Sequence, residues 1–522
     1  SYENRMRLPI KIAEKIRSAV GKNFLLIFRL SMIDLIPNGS SHDEVVVLAK
    51  ELEIAGINII NTGIGWHEAR IPTIATSVPP AAFTWVTKKL MGKIKIPLIT
   101  SNRINTPEKV EEVLKSKCAD LVSMARPFLA DPEFVNKASQ EKSQLIAPCI
   151  ACNQACLDHT FKGQISSCLV NPRACFESEL ELKMVSNSKN IGIVGAGPAG
   201  LAAAEQLRKN GYKITVYDRY DRAGGLLIYG IPNFKLEKEI VQRRTKLLED
   251  SSIKFKLNFN IGKDITFKQL REEHHAIVVA TGVYKSRDIN LNKNNYSNVI
   301  PALEYLTTSN KVGLNDKVQN FDNGLLNAHN KNVIVVGGGD TAMDCVRTAI
   351  RQGAKDVKCL YRRDKNNMPG SQREVENAIE EGVDFNWLTL PIEYLGNHSL
   401  DEVKIAKMEL GSPDETGRRK PEIKKDSEEF FKADLVIEAL GFEPEELPAM
   451  FDEPALNVTQ WGTLKVNYKN LMTSLDGVFA AGDIVRGASL VVWGVKDGRD
   501  VAGHIHNYIK NNIEDNKRVV NE

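Results

Sequence analysis

Four cysteines have the spacing of ligands to a metal centre, three of them within eight residues and the fourth after eleven intervening residues. They are Cys149, Cys152, Cys156 and Cys168. Three close thiolates can bind one side of a compact inorganic core, and a fourth completes the set that a [4Fe-4S] cluster requires. Structural zinc is the alternative, held by the four cysteines or by three of them and His159, although zinc ribbons usually have two separated CxxC pairs. Five of the eight cysteines fall between 149 and 175, which favours metal in a reducing compartment over disulfides and leaves Cys175 as a bystander.

Two glycine-rich turns each follow a β-branched run and open a helix-like stretch. The first is Gly195-Ala196-Gly197-Pro198-Ala199-Gly200, after the run at 190–194, and the second is Gly337-Gly338-Gly339-Asp340-Thr341, after the run at 332–336. Such glycines allow a tight turn and a close approach of the backbone to a pyrophosphate, whose charge then lies on amides at a helix N-terminus. Two such turns in one chain indicate electron transfer between two dinucleotides.

The strands that follow the two turns end in residues of opposite charge. The run 213–217 ends at Asp218, and a carboxylate there accepts hydrogen bonds from a ribose diol, as in FAD or NAD sites. The run 357–361 ends at Arg362 and Arg363, whose guanidinium groups can bind a 2′-phosphate. The second site is therefore predicted to take NADPH rather than NADH.

The elements around these motifs predict an α/β protein of several domains. Between residues 24 and 140, four strand-like runs alternate with helical periodicity, which predicts four βα units of a parallel sheet, half of a (β/α)₈ barrel. The predicted domains are a partial barrel at 1–145, a cysteine-rich segment and linker at 146–189, an FAD domain at 190–329 and 446–522, and an NADP domain at 330–445. The last two form a nested pair of Rossmann-type domains.

Composition excludes several classes of partner. The net charge is +3, from 69 basic and 66 acidic residues, so neither nucleic acid nor an acidic membrane is expected as a partner. The uncharged stretch 191–204 contains four glycines and is the first turn, so it is not a membrane span. Cytoplasm is the expected location. Ser1 is not an initiator residue, and we expect the chain to be a fragment.

Residues 1–185 resemble bacterial 2,4-dienoyl-CoA reductase of the NADH:flavin oxidoreductase group. The matching text includes SYENRMR at 1–7, NTGIGWHEAR at 61–70, SMARPFLAD at 123–131 and the cysteine cluster. The resemblance implies FMN in the barrel, held by Arg29, Arg103, Ala125 and Arg126. It also implies that His67 assists protonation of the substrate and that Glu68, Ala69 and Arg70 line the substrate site. The first four βα units of that family, with further flavin contacts, would lie upstream of Ser1.

Residues 190–520 resemble the small subunit of bacterial NADPH glutamate synthase. The matching text includes GGLLIYGIPNFKLEK at 224–238, GGGDTAMDC at 337–345 and GDIVRGASL at 482–490. The implied NADP site is Gly337 to Thr341 with Arg362 and Arg363. The implied FAD site is Gly195 to Gly200, Asp218, Arg219, Gly225, Leu226, Thr281, Gly282, Gly482 and Asp483. The small subunit has its own cysteine-rich domain for two clusters, which the half barrel and a single cluster motif replace here.

These resemblances predict electron transfer from NADPH through FAD to a [4Fe-4S] cluster. The expected acceptor is either the glutamate synthase large subunit or FMN in a barrel completed by its missing N-terminal half, followed by a dienoyl-CoA. A third hypothesis is a chimeric or truncated chain that keeps only NADPH:acceptor activity. Natural fusion, recombination and assembly error would give identical sequences at the join between the two resemblances.

Overall fold

The computed structural model describes residues 1–65, 71–180, 184–292, 296–413 and 419–520. The chain divides into two compact units, Ser1–Glu181 and Leu182–Glu522. Each unit combines α-helices with parallel β-strands, so the α/β class predicted from the sequence is confirmed.

The first unit contains a regular alternation of strands and helices. In chain order these are α1 (Tyr2–Val20), β1 (Ile27–Ser31), α2 (His42–Ile54), β2 (Ile59–Gly63), α3 (Thr84–Leu90), β3 (Leu98–Thr100), α4 (Pro107–Lys115), β4 (Leu121–Val122), α5 (Arg126–Ala130), α6 (Phe134–Ser139) and α7 (Leu157–Phe161). The strands form one parallel sheet in the order β1-β2-β3-β4. The four strand-like runs predicted between residues 24 and 140 therefore form one parallel sheet.

Helix α1 is an element that the sequence reasoning missed. Pro9 lies inside it, and a proline inside a helix removes a hydrogen bond and usually ends or kinks the helix. Met6 and Ala13 nevertheless lie on one side of α1 and are buried in the same hydrophobic cluster as Leu30 and Ile60 of the sheet. Burial of this side thus outweighs the local effect of the proline.

The second unit contains two groups of strands, one inserted into the other. It begins with β5 (Asn190–Val194), α8 (Pro198–Lys209), β6 (Lys213–Tyr217), α9 (Leu226–Tyr229), α10 (Lys238–Asp250), β7 (Lys254–Lys256), α11 (Phe267–Glu273), β8 (Ala276–Val279) and β9 (Lys285–Ser286). The inserted part contains β10 (Val299–Pro301), α12 (Ala302–Gly313), α13 (Gln319–Asp322), β11 (Asn332–Val336), α14 (Asp340–Arg351), β12 (Asp356–Tyr361), α15 (Gln372–Glu380), β13 (Asp384–Trp387), β14 (Thr389–Gly396), β15 (Leu400–Pro413), β16 (Arg419–Lys432) and β17 (Leu435–Glu438). The chain then continues through β18 (Phe442–Glu443), α16 (Leu447–Met450), β19 (Val478–Ala480), α17 (Asp483–Arg486) and α18 (Val491–Val520).

Each group contains one five-stranded parallel sheet. The first sheet has the order β19-β8-β5-β6-β7, and the second has the order β10-β17-β11-β12-β13. Helices α8 and α18 cover the first sheet, with Leu207 and Ile505 fully buried beside Ile191 of β5. Strand β19 follows the inserted part along the chain, so the first sheet contains strands from both sides of the insertion.

The inserted part begins earlier than the sequence suggested. Strand β10 pairs with β17, and Tyr305 and Leu306 of α12 are buried in the core of the second sheet. The predicted boundary at 329/330 therefore lies inside this part. Strand β10 has three residues and no glycine turn after it, so nothing local marks it as part of the second sheet. The antiparallel sheet β14-β15-β16 was also not predicted.

Candidate functional site

The first glycine turn connects β5 to α8 at the carboxyl end of the first sheet. Gly195 has a φ of +108°, and a Cβ atom on it would lie 2.3 Å from the carbonyl oxygen of Ala280. A Cβ atom on Gly200 would lie 1.9 Å from the carbonyl oxygen of Gly195. Only glycine at both positions lets β5, β8 and α8 meet this closely.

Gly197, the N-cap of α8, is different because a side chain built on it would face open space. The nearest heavy atom to a Cβ atom built on it is the Cα atom of Gly225, at 4.0 Å. The first amides of α8 have no intrahelical partner, and the helix dipole places positive potential at the same point. A phosphate group can therefore approach the backbone here.

Asp218 lies at the end of β6, next to the turn. Its carboxylate accepts hydrogen bonds from the backbone N–H of Ala196, at 2.6 Å, and of Tyr220, at 2.9 Å. Burial raises the pKa of this carboxyl group, and the two backbone hydrogen bonds act against that rise. The carboxylate is thus held rigidly at the edge of the turn, where the sequence predicted a partner for a ribose diol.

A cleft at this edge of the first sheet brings the predicted FAD residues together. The predicted residues that line it are Gly195, Gly197, Pro198, Ala199, Asp218, Arg219, Leu226, Thr281, Gly282, Gly482 and Asp483. The remaining three lie directly behind: Ala196 bonds Asp218, Gly200 packs on Gly195, and Gly225 faces Gly197. The hydroxyl oxygen of Thr281 is buried and has no hydrogen-bond partner in the described part of the chain. An open helix N-terminus and an unpartnered hydroxyl in one cleft fit a dinucleotide.

Arg219 lines the cleft together with three residues that the sequence reasoning missed. Its guanidinium group lies 2.7 Å from the Glu445 carboxylate and over the rings of Tyr220, at 5.4 Å, and Tyr284, at 5.1 Å. Tyr284 could have been found from its position two residues after Gly282. Glu445 had no such signal, because it reaches the cleft from beyond the inserted part.

Asp483 begins the short helix α17 after Gly482. Its carboxylate accepts a hydrogen bond from the hydroxyl of Ser489, at 2.8 Å, and both residues line the cleft. Burial raises the pKa of Asp483, against the effect of Ser489. Ser489 is a further cleft residue that the sequence reasoning did not include.

The second glycine turn repeats this construction between β11 and α14. Gly337 has a φ of +150°, and a Cβ atom on it would lie 2.2 Å from the carbonyl oxygen of Ala439. A Cβ atom on Gly338 would lie 2.4 Å from the ring of Tyr361, whereas Gly339, the N-cap of α14, has no heavy atom within 4 Å of that position. The side of Gly339 is therefore open, while the backbone N–H of Gly370 donates to the carbonyl oxygen of Gly338 nearby, at 2.9 Å.

The other predicted NADP residues follow the second turn or the neighbouring strand β12. The Asp340 carboxylate accepts a hydrogen bond from the backbone N–H of Ser371, at 2.8 Å, and the half-buried Thr341 follows it in the first turn of α14. Arg362 is exposed, and Arg363 is half-buried with a buried Nε atom that has no partner among the described residues. Both arginines follow β12, which pairs with β11 as far as Val336, so they lie at the same edge of the second sheet as the turn.

The four predicted cysteine ligands line one small pocket in the first unit. Its other lining residues are Arg126, Leu129, Ile150, Asn153, Ala155, Leu169 and Val170. Burial raises the pKa of the Cys152 thiol to about 11 and also raises that of Cys168, and the neighbouring cysteines act in the same direction. His159 is outside this pocket, with its Nδ1 atom 3.0 Å from the carbonyl oxygen of Ile165, and Cys175 is exposed.

Within the described ranges, no group of three or more His, Cys, Asp or Glu side chains is placed to hold a metal ion. A zinc ion with bonds of about 2.3 Å needs its four sulphurs close together around one point. Four cysteines in one pocket supply the ligand number of a [4Fe-4S] cluster and equally that of a structural zinc ion.

Among the predicted FMN residues, Arg29 lies within β1, Arg103 follows β3, and Ala125 and Arg126 follow β4. Arg29 donates to the Asn61 side chain at 2.8 Å, and Arg103 donates to the carbonyl of Val78 at 2.7 Å. Ala125 is the N-cap of α5. Arg126 is placed at the cysteine pocket, where it donates to the side-chain oxygen of Asn153. The predicted substrate-site residues His67, Glu68, Ala69 and Arg70 lie outside the described residues.

Comparison with known proteins finds two oxidoreductase families along the chain. The model of the pyridine nucleotide-disulphide oxidoreductase family matches residues 189–498, more than half of the chain. The chain belongs to this family. The model of the NADH:flavin oxidoreductase / NADH oxidase family matches residues 1–144. This member of the pyridine nucleotide-disulphide oxidoreductase family is therefore a flavin oxidoreductase that uses a pyridine nucleotide, with flavin-oxidoreductase sequence in both units.

Individual relatives are similar over different parts of this family member. The glutamate synthase [NADPH] small chain of Azospirillum brasilense is 59% identical over 325 residues, which are 62% of this chain and 67% of that protein. The putative glutamate synthase [NADPH] small chain of Cereibacter sphaeroides is 56% identical over 62% of this chain and 77% of that protein. A structure of 2-naphthoyl-CoA reductase with 2-naphthoyl-CoA covers 96% of this chain and 68% of its own, with a TM-score of 0.73 and 22% identity, which shows a shared fold. No helix in the described part is both long and apolar enough to cross a membrane.

Proposed function

We propose that this oxidoreductase takes electrons from NADPH at the second turn, transfers them to FAD at the first turn and passes them on to a [4Fe-4S] cluster in the cysteine pocket. One observation carries the proposal. Two glycine turns of the same construction lie in one unit, but the carboxylate of Asp218 is beside the first, whereas Arg362 and Arg363 follow β12, the strand that pairs with β11 as far as the second turn. A ribose diol suits the carboxylate, and a 2′-phosphate suits the arginines.

Each residue has a defined task in this proposal. The open N-termini of α8 and α14 would bind the two pyrophosphates, and Asp218 would orient the flavin nucleotide. Arg362 and Arg363 would select NADPH over NADH. FAD accepts two electrons together and releases them singly, which is the chemistry that joins a nicotinamide to a one-electron cluster.

The cluster is favoured over structural zinc for two reasons. His159 is outside the pocket, so the arrangement with three cysteines and one histidine has no support. The cysteine spacing also lacks the two separated CxxC pairs that zinc ribbons usually have. Raised thiol pKa values also mean that a bound cationic core must stabilise the thiolates, as iron or zinc would.

The final acceptor follows from the similar proteins. Relatives named glutamate synthase [NADPH] small chain favour a glutamate synthase large subunit as the electron-accepting partner. The alternative is a 2,4-dienoyl-CoA reductase reaction at FMN, in which Arg29, Arg103, Ala125 and Arg126 would hold the flavin and His67 would assist protonation. The same proposal divides the chain into a partial barrel, a cysteine segment, an FAD domain and an NADP domain. The NADP domain begins at β10.

A specific surface supports completion of the barrel by further βα units. Leu8, Ile12, Ile16 and Val20 repeat every four residues on α1, and their side chains are between 39% and 68% exposed. Strands β1 and β4 are the two edges of the four-stranded sheet. A closed barrel needs eight strands, and four more would pair both edges and cover the stripe.

Cofactor analysis and one reduction experiment test these proposals. The protein purified without oxygen is expected to contain one FAD and four iron atoms per chain, and NADPH is expected to bleach the flavin absorbance. Flavin that stays oxidised with NADPH but bleaches with dithionite contradicts the electron path. Zinc without iron contradicts the cluster. Absence of FMN, with protease cleavage confined to residues 1–145, favours the truncated chain with NADPH:acceptor activity alone.

A further inference from the structure

A short segment of the first-sheet part reaches across to the inserted part. Residues 230–237 connect α9 to α10, and they cover one side of α14. The ring of Phe234 lies 3.9 Å from the guanidinium carbon of Arg351. The next residue, Lys235, places its Nζ atom 2.8 Å from the Asp344 carboxylate and 3.2 Å from that of Glu374.

The contacted residues of α14 form one face of the helix. Asp344, Arg347 and Arg351 are three and four residues apart, which places them in a row along a helix. Asp340 is four residues before Asp344, so the row begins in the first turn of α14, beside Gly339. Lys235 therefore forms its ion pair with the helix whose N-terminus is proposed to bind the pyrophosphate of NADPH.

The ion pairs around Lys235 are shielded from water and continue into α15. Side-chain exposure is 25% for Lys235, 12% for Asp344, 17% for Glu374 and 10% for Arg347. Arg347 lies 2.6 Å from Glu374 and 2.7 Å from Glu381. Solvent screens such pairs less than exposed ones, and removal of one partner leaves a buried charge without its partner.

Two further contacts hold the segment in shape, one from Lys238 at the start of α10 and one from α12 of the inserted part. The buried ammonium group of Lys238 donates hydrogen bonds to the carbonyl oxygens of Leu227, at 2.9 Å, and Ile231. The side chain of Asn310 on α12 donates to the carbonyl oxygen of Tyr229, at 2.9 Å. Lys235 thus extends from a braced segment, and a displacement of α14 would have to break its ion pairs.

We propose that Lys235 is a positioning residue for hydride transfer: its ion pair with Asp344 holds α14, and the NADPH bound at its N-terminus, at the correct distance from the flavin. The inference rests on the proposed function, because it takes NADPH to bind at the second turn and FAD at the first. Lys235 touches neither nucleotide in this account. It acts through Asp344 and the helix that carries it.

The test is anaerobic stopped-flow reduction of bound FAD by NADPH. For Lys235→Met we expect the rate constant at saturating NADPH to fall about tenfold or more, because small displacements of reacting groups are costly. The NADPH concentration for half-saturation should change less than about threefold, since no nucleotide contact is lost. Lys235→Arg should restore most of the rate, and Asp344→Asn combined with Lys235→Met should lose no more than either change alone.

Matched controls separate this role from general destabilisation. Lys246→Met removes an exposed ion pair with Asp250 on α10 and should leave the rate unchanged. FAD content and reduction by dithionite should equal those of the wild type in every variant. Wild-type rates in Lys235→Met, or a loss confined to NADPH affinity, overturn the inference alone. Wild-type protein that binds FAD but is not reduced by NADPH overturns the proposed function, and the inference with it.

The pH profile gives an independent readout. Burial raises the pKa of Asp344 to about 6; Glu374 and Asp340 act in the same direction, while Lys235 and Lys238 act against it. The ion pair needs the carboxylate, so it is present above pH 6 and lost below. The wild-type rate should fall as the pH drops through about 6, and Asp344→Asn should be slow without this inflection. An unchanged inflection in Asp344→Asn contradicts the assignment.

Discussion

Gly197→Ala separates the folding role of the first turn from its binding role. Gly197 is the N-cap of α8, with φ −79° and ψ −176°, a conformation that alanine adopts without strain. The new methyl group would lie 4.0 Å from its nearest neighbour, the Cα atom of Gly225. The free energy of unfolding of the flavin-free protein should therefore change by only about 0.5 kcal/mol, the cost of replacing glycine by alanine at an N-cap.

FAD binding should respond much more strongly, because the same methyl group projects into the cleft at the N-terminus of α8. It would keep the pyrophosphate away from the first amides of the helix. One lost hydrogen bond between an amide and a charged phosphate is worth about 1.5–3 kcal/mol. The dissociation constant of FAD should rise by roughly 10- to 150-fold.

The assay is calorimetric or fluorimetric titration of flavin-free protein with FAD, together with urea unfolding of the same sample. The matched control is Gly339→Ala at the second turn, where no heavy atom lies within 4 Å of the new methyl group. It should weaken NADPH binding and leave FAD binding unchanged. If Gly197→Ala binds FAD with wild-type affinity, the pyrophosphate does not lie over this turn, and the reasoning from the open N-cap is refuted.

Four further predictions follow from the same structure. Gly200→Ala places a methyl group 1.9 Å from a turn carbonyl and should lower the free energy of unfolding by roughly 3 kcal/mol in urea titration; unchanged stability would show that α8 can move away freely. Replacing Arg362 and Arg363 by alanine should raise KM for NADPH at least about tenfold and leave KM for NADH nearly unchanged in steady-state assays, whereas an equal rise for both would argue against a 2′-phosphate site. Burial opposes ionisation of Glu381, but two arginines of α14 lower its pKa to about 2 from 4.5. About 3 kcal/mol of the free energy of unfolding, present above pH 4.5, should therefore be lost as the pH falls toward 2. Thermal unfolding between pH 5 and 3 should show this loss, and Glu381→Gln should make the stability less dependent on pH. Cys168→Ser should abolish the broad cluster absorbance near 400 nm while FAD content is kept, and retention of iron at the wild-type level would exclude Cys168 as a ligand.

Local sequence patterns were sufficient for the elements that carry the candidate sites. The β-branched runs before Gly195 and Gly337 predicted β5 and β11, and the glycines predicted the turns, because both effects act within a few neighbouring residues. The same holds for the four strands of the first unit. Helix α1 was missed because Pro9 opposes helix formation locally, whereas the burial that favours it comes from the distant sheet.

Other features depend on chain segments that meet only after folding. Glu445 reaches the first cleft from beyond the inserted part, and β10 joins the second sheet although no turn signal follows it. The partners of Lys235 are also far away along the chain. None of these pairs has a fixed spacing that a sequence pattern could reveal.

The sequence alone established that this chain has two dinucleotide-type turns with opposite strand-end charges and a set of four cysteines. These are properties of residue type and short-range spacing, since steric freedom at glycine and the charge of a side chain do not depend on the rest of the fold. Only the tertiary structure established which side chains complete the clefts, that His159 stays outside the cysteine pocket and that Lys235 contacts α14. The physical reason is that these contacts are selected by burial and ion pairing over the whole molecule, which bring together residues that the chain itself keeps apart.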